Sequence, residues 1–294
     1  MNRSANLGNR ASTVLGRKLG GELLRLRDAS GKTQHQAAQT ISATNSKIVK
    51  MEQGWVPMRD PDIRVLCEFY EVRDLKSVSR LLELARLDRE RRKAKGWWQH
   101  APQAGAMAEY IAMEDVATGV RTWQQALVPG LLQTPEYTRA LAVSEGLWED
   151  PDEIEGIVDV RMKRQARLSG PEPLQFYAVI GESALRQQVG GPDVMRAQLQ
   201  HLLAASQLPN VHVQVLPFRA GSHACIAGSF NIVSFAETEA MDVVHVDSIA
   251  ATVWIENDAE SAMYRTFFER TARLSLAPRD SLTLIETISE DMHR

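Results

Sequence analysis

The chain has 294 residues, 44% of them hydrophobic and 24% charged, which is enough apolar content for two packed cores when a domain takes ~100 to 200 residues. Its net charge of −3 hides a division: residues 1–100 carry 20 Lys and Arg against 11 Asp and Glu, the remainder 14 against 26, so a basic front precedes an acidic body. The 2 cysteines, the lack of any apolar run of membrane-spanning length and the polar opening MNRSANLGNRAST argue against a disulfide framework, a transmembrane helix and a signal peptide, so a cytoplasmic protein with no membrane partner is expected.

Residues 1–12 read as a basic arm, and a helix-turn-helix bundle is expected over 12–72. Leu15, Leu19, Leu23 and Leu26 recur at helical spacing in its first helix. Residues 33–54, TQHQAAQTISATNSKIVKMEQG, then read as two short helices joined by a tight turn. Thr33 caps the first, Ala37 and Ala38 are small enough to let a second helix cross closely, and Ile41 closes it on its apolar side. Ser42 and Ala43 make the turn. Thr44 caps the second helix, whose Ile48 and Met51 face inward, and Gly54 ends it. Asn45, Ser46, Lys47, Val49 and Lys50 are left on its outer face, a small, polar and cationic surface suited to a major groove. Val65, Leu66 and Phe69 are expected to complete the bundle.

A connecting helix and linker are expected over 73–104. Leu81, Leu82, Leu84 and Leu87 point inward, RLDRERRKAK points outward as a solvated face, and Gly96 stops the helix. The same basic run has a second reading, as a contact for DNA phosphates. Residues 99–106, QHAPQAGA, form the linker. The α+β domain expected over 105–294 begins with a helix at 109–117, an extended segment at 120–127 and a turn at Pro129-Gly130. Thr134 and Pro135 start a further helix, and another runs over 154–168. Strands follow near 175–181, 211–216, 230–235, 241–246 and 252–256, with a helix over 193–206 entered through Gly190-Gly191-Pro192, and helices over 259–275 and 279–289 close the chain.

The front half carries TVLGRKLGGELLRLRDASGKTQHQAA followed by SKIVKMEQG, and in these residues it resembles the Xre/Cro class of repressor-like regulators. The resemblance implies an all-α repressor-like DNA-binding domain in front of the α+β domain. It implies base contacts from Asn45, Ser46, Val49 and Lys50, and phosphate contacts from Gln34, Thr44 and Lys47 at helix starts. The turn position that such domains usually fill with Gly is Ser42 here. Further on, GWW at 96–98, LVPGLLQTPEYTRA at 127–140, VGGPDVMRAQLQHLL at 189–203, LPNVHVQVLPF at 208–218 and GSHACIAGSF at 221–230 are similar to the WhiJ-like regulators of actinobacteria. That likeness implies a transcriptional regulator acting on a double-stranded DNA operator as a homodimer. It also implies, in an antitoxin-like arrangement, a small partner protein encoded nearby.

Catalysis is not expected, and neither is a cofactor. His212, His223, His245 and Cys225 are the candidate constellation, with Asp247 on the same strand face as His245 by alternation, but none has the spacing of a metal site and no phosphate-cradling or nucleophile-elbow motif is present. The loop AGSHACIAG admits two readings: Gly221, His223 and Cys225 let a ligand or partner approach, or the loop is an ordinary connection between strands.

Overall fold

A computed structural model of the chain describes residues 13–93, 107–148, 150–235, 242–248 and 252–292. The expected arm at 1–12, the helix stop at Gly96 and the linker at 99–106 lie outside the described residues. The chain divides into two compact units, Met1–Gly96 and Trp97–Arg294.

Among its described residues the first unit is built of helices joined by turns: α1 (Val14–Ala29), α2 (Gln34–Thr40), α3 (Asn45–Glu52), α4 (Asp60–Phe69) and α5 (Leu75–Lys93). One core holds Leu15, Leu19 and Leu23 of α1, Ala37 and Ala38 of α2, Ile48 and Met51 of α3, and Leu81, Leu84 and Ala85 of α5. The last helix is therefore part of the bundle wall, not only a connector. On α4 the buried stripe is Ile63, Leu66, Cys67 and Tyr70, whereas Val65 is 38% exposed and Phe69 only packs at the margin. Of the expected inward set, Leu66 is core and Phe69 packs against it, while Val65 is corrected to an exposed position: 63, 66, 67 and 70 form the continuous apolar face.

The outward reading of RLDRERRKAK holds for the exposed Arg86 and Glu90 but is corrected at Asp88 and Arg92. Asp88 is fully buried, where it accepts from Arg92 Nε at 2.8 Å and from the Thr13 hydroxyl. Arg92 also donates to the Gly54 carbonyl at 2.7 Å. A charged i, i+4 pair looks like a solvated face in sequence, but here Asp88 also accepts from Thr13 and Arg92 also donates to the Gly54 carbonyl, the condition under which burial is tolerated.

The second unit is an α+β domain around a sheet of order β3-β2-β1-β4-β5-β6. The strands are β1 (Gly119–Gln124), β2 (Gln175–Gly181), β3 (Val211–Leu216), β4 (Phe230–Ser234), β5 (Val243–Asp247) and β6 (Thr252–Ile255). β1, β2 and β3 pair in parallel, while β4, β5 and β6 continue antiparallel. Parallel neighbours need long crossovers. Here α7 (Pro135–Glu145) and α8 (Pro151–Gln165) fill the first, and α9 (Glu182–Arg186) and α10 (Pro192–Ala205) the second. α6 (Ala108–Val116) precedes the sheet; α11 (Asp258–Leu274) and α12 (Pro278–Asp291) follow it. The edge of β3 is closed by the Leu276 amide on the Val215 carbonyl at 2.9 Å and by Ser281 Oγ accepting from the Val215 amide at 3.0 Å.

Register assigns side chains to the two sheet faces. Trp123 lies opposite Val179 and Phe230 and packs with Ile232, Val244, Cys225 and Phe268 of α11. Thr122, Ala178, Asn231 and His245 take the other face. The LVPGLLQT segment between β1 and α7 is held by side-chain amides: Gln133 Nε2 donates to the Val128 carbonyl at 2.8 Å, and Gln198 Nε2 to the Leu132 carbonyl at 2.6 Å. Tyr137 Oη accepts from the Val128 amide at 3.2 Å. These bonds satisfy a buried loop backbone that would otherwise be costly.

Candidate nucleic-acid interface

Each helix of the hairpin starts as its residues dictate. The Thr33 hydroxyl accepts from the Gln36 amide at 3.2 Å while Gln36 Oε1 accepts from the Thr33 amide at 2.9 Å, a reciprocal capping box. The Thr44 hydroxyl accepts from the Lys47 amide at 3.2 Å and so starts α3. Between them Ser42 adopts φ 51°, the left-handed conformation that favours Gly, and Gly54 leaves α3 at φ 69°.

The last turn of α3 is fastened from several sides. Glu52 accepts from Arg27 Nε at 2.6 Å and from Gln34 Nε2 at 2.7 Å, tying the end of α3 to α1 and to the start of α2. Gly20 of α1 runs directly under it, where a Cβ would collide with the Met51 and Glu52 carbonyls. Arg92 holds the Gly54 carbonyl.

With Ile48 and Met51 buried beneath, Asn45, Ser46 and Lys50 stand exposed on α3 and Val49 is partly exposed beside them. The residues expected at the DNA backbone differ more among themselves. Thr44 is exposed but its hydroxyl already caps α3. Gln34 is partly buried and bonded to Glu52. Lys47 is partly exposed and forms an ion pair with Asp62 at 3.0 Å. Burial alone would raise the Asp62 carboxyl, but hydrogen bonds from Arg59 and Lys47 outweigh it and hold the group below its usual range. The fastening residues Arg27, Glu52, Asp88 and Arg92 escape a sequence reading, although the i, i+4 spacing of Asp88 and Arg92 hints at their pair.

In the second unit the three histidines of the candidate constellation have separate surroundings. His212 stacks on Tyr177 at 4.5 Å, and His223 meets Trp123 edge-on at 5.0 Å. His245 sits on the opposite sheet face from Trp123, between Tyr110 at 4.7 Å and Trp254 at 4.6 Å. Within AGSHACIAG, Gly221 bends the chain at φ 67°, and His223 Nδ1 is buried without a hydrogen-bond partner among the described residues. Cys225 is not at the loop surface: it is core, its carbonyl accepting from Trp123 Nε1 at 2.9 Å and its sulfur from Thr271 Oγ1 at 3.1 Å. Burial pushes its thiol up and the Thr271 hydrogen bond only partly offsets this, so it is a poor thiolate source. Among the described residues no cluster of three His, Cys, Asp or Glu could hold a metal ion, and no helix is long and apolar enough to cross a membrane.

A capped helical pair of this geometry, with a polar outer helix face, defines a helix-turn-helix domain. The model of a helix-turn-helix domain matches residues 18–81, and the model of a domain of unknown function, DUF5753, matches residues 107–287. The second match takes in more than half of the chain, and the chain belongs to the DUF5753 family, here with a helix-turn-helix domain in front. No curated protein and no solved structure matches it.

Proposed function

We propose that the protein is a sequence-specific DNA-binding transcriptional regulator of the Xre type, WhiJ-like in its organisation. The observation that carries the reading is the exposed face of α3, which presents Asn45, Ser46 and Lys50 beside Val49 while the opposite face is core. Asn45, Ser46 and Lys50 reach base edges, and Val49 meets a thymine methyl. Thr44, Gln34 and Lys47 position the helix on phosphates, Lys47 by exchanging Asp62 for a phosphate oxygen. The basic front of the chain supports this.

In the same reading the second unit dimerises the protein and receives a signal or a small partner protein, in the antitoxin-like manner of the WhiJ-like regulators. It does so without catalysis, and the separate surroundings of His212, His223 and His245 favour that view. The protein acts in the cytoplasm, at the nucleoid. Footprinting of the purified full-length chain on its own upstream region tests the proposal. A protected pair of half-sites about one helical turn apart is the expected result, and uniform coating of any DNA offered would overturn sequence specificity.

A further inference from the structure

Three arginines follow one another along one side of α8 and just beyond it, and two of them are fully engaged. Arg164 forms a two-point pair with Glu114, Nε to Oε1 and Nη2 to Oε2 at 2.8 Å each, with its guanidinium 5.2 Å from the Tyr110 ring centre. Arg167 donates to the backbone carbonyls of Glu114, Ala117 and Glu172. Arg161, one turn before Arg164, has no hydrogen bond and no ion pair among the described residues, although its side chain is only partly exposed.

Its position is defined by the turn after β1. A Cβ on Gly130 would collide with Arg161 Nη1 and stand 3.5 Å from its Cδ and Cζ, so the guanidinium lies directly against the bare backbone of this glycine. This glycine belongs to the LVPGLLQT segment, whose own backbone is tied down by Gln133, Gln198 and Tyr137. The carboxylates that act on Arg161 through space are Glu114 and Glu145. Glu114 is held by Arg164, and Glu145 is exposed and outside ion-pair distance. Burial, with the charge of Arg164 added, pulls the guanidinium down to about 10, the direction expected of a cation lacking its counter-ion.

A guanidinium offers five N–H donors in a planar fork and no acceptor. No protein group meets this fork among the described residues, and the group that matches it is a planar or tetrahedral oxyanion. We propose that Arg161, set against Gly130, binds the carboxylate or phosphate group of a small metabolite, which makes this corner of the second unit a ligand site. The guanidinium's partial burial under the turn favours a small group over a protein surface. The inference does not depend on DNA binding by the first unit.

The test uses the full-length protein free of DNA. Thermal unfolding is followed while inorganic phosphate, acetate or citrate replaces chloride at constant ionic strength, for the wild type, Arg161→Met, Arg161→Lys and Lys50→Ala. The expected result is a saturable rise in Tm with phosphate or with the carboxylates, whichever arm responds naming the headgroup. The apparent affinity falls at least tenfold in Arg161→Met, falls less in Arg161→Lys, and is kept in Lys50→Ala, which separates this site from the basic first unit. If Arg161→Met fails to fold in chloride, Gly130→Ala takes its place, because its methyl group would collide with Arg161 Nη1 and force the guanidinium to shift. No saturable response in the wild type, an unchanged response when Arg161 or Gly130 is replaced, or loss of the response in Lys50→Ala would each overturn the proposal.

Discussion

Lys47 and Lys50 stand three residues apart on α3 in different surroundings. Lys50 is exposed, whereas Lys47 is 3.0 Å from a buried Asp62 carboxylate. Lys50→Ala is therefore expected to cost ~1 to 3 kcal/mol of operator binding and to relax preference at one base pair, which selection from a randomised operator library would reveal. Lys47→Ala should weaken binding to all sequences alike. It should lower the salt slope by less than ~1, since Asp62 already neutralises part of that charge; a sequence-selective loss would reassign Lys47 to base reading. Ser42 carries a different kind of information. Its φ of 51° is a conformation that L residues avoid, so Ser42→Gly should stabilise the first unit by about 0.5 to 1 kcal/mol, part of the ~1 to 2 kcal/mol strain being returned as glycine's greater unfolded entropy. Urea midpoints of the two proteins decide it, and a destabilised Ser42→Gly would show that the Ser side chain contributes more than its backbone strain removes.

At the level of elements, the closest approach in the first unit is between α1 and the end of α3. A Cβ on Gly20 would collide with the Met51 and Glu52 carbonyls, whereas around Gly21 there is nothing within 4 Å. Gly to Ala inside an exposed helix ordinarily gains ~0.5 to 1 kcal/mol, and Gly21→Ala should show that gain. Gly20→Ala should instead lose ~1 to 3 kcal/mol through overpacking and impair operator binding by shifting α3. Equal melting temperatures for the two variants would contradict the packing described. The contrast also marks what the sequence could reveal. The helix starts at Thr33, Thr44 and Thr134 and the strands at 175–181 and 211–216 were legible, because caps and apolar alternation are local signals. The engagement of Asp88 and Arg92 with Thr13 and Gly54 was not, since it depends on chain segments up to 79 residues apart. Nor was the separation of His245 from His223, which comes from the strand register and not from spacing along the chain. The exposed face of α3 was readable residue by residue; the partners of Gln34 and Lys47 were not, because Glu52 and Asp62 reach them only after the bundle has closed.

For the whole molecule, two expectations follow. If the regulator works on paired half-sites it is a homodimer, and equilibrium sedimentation of the full chain at micromolar concentration should give twice the monomer mass; a strict monomer would remove that part of the reading. The second concerns pH. Burial holds the His245 imidazole below its ordinary 6.5, and Asp247 and Glu114, which favour its charged form, do not reverse this; Arg164 adds to the lowering. Burial acts in the same direction on His201 and His223. Above pH 6.5 the folded and unfolded chains are both neutral at these sites. As the pH falls through that value the unfolded chain takes up the protons first, so stability is lost progressively until the folded-state values are passed. Urea midpoints of the full chain should therefore drop between about pH 7 and pH 5, and His245→Gln should shrink the drop; an unchanged drop would assign the effect to other groups.

The clamp on the last turn of α3 has a thermodynamic meaning for such a regulator. Glu52 is held by Arg27 and Gln34, Gly20 lies beneath, and Arg92 takes the Gly54 carbonyl, so contacts within the first unit alone fix the shape of α3. Operator binding should then carry the heat-capacity change of buried interface alone, without the extra term that coupled folding adds. A preformed reader also leaves little to adjust within itself. If the protein binds a two-site operator as a dimer and the second unit receives a signal, that signal would alter occupancy through the spacing and orientation of two rigid readers and leave the base preference of each one unchanged.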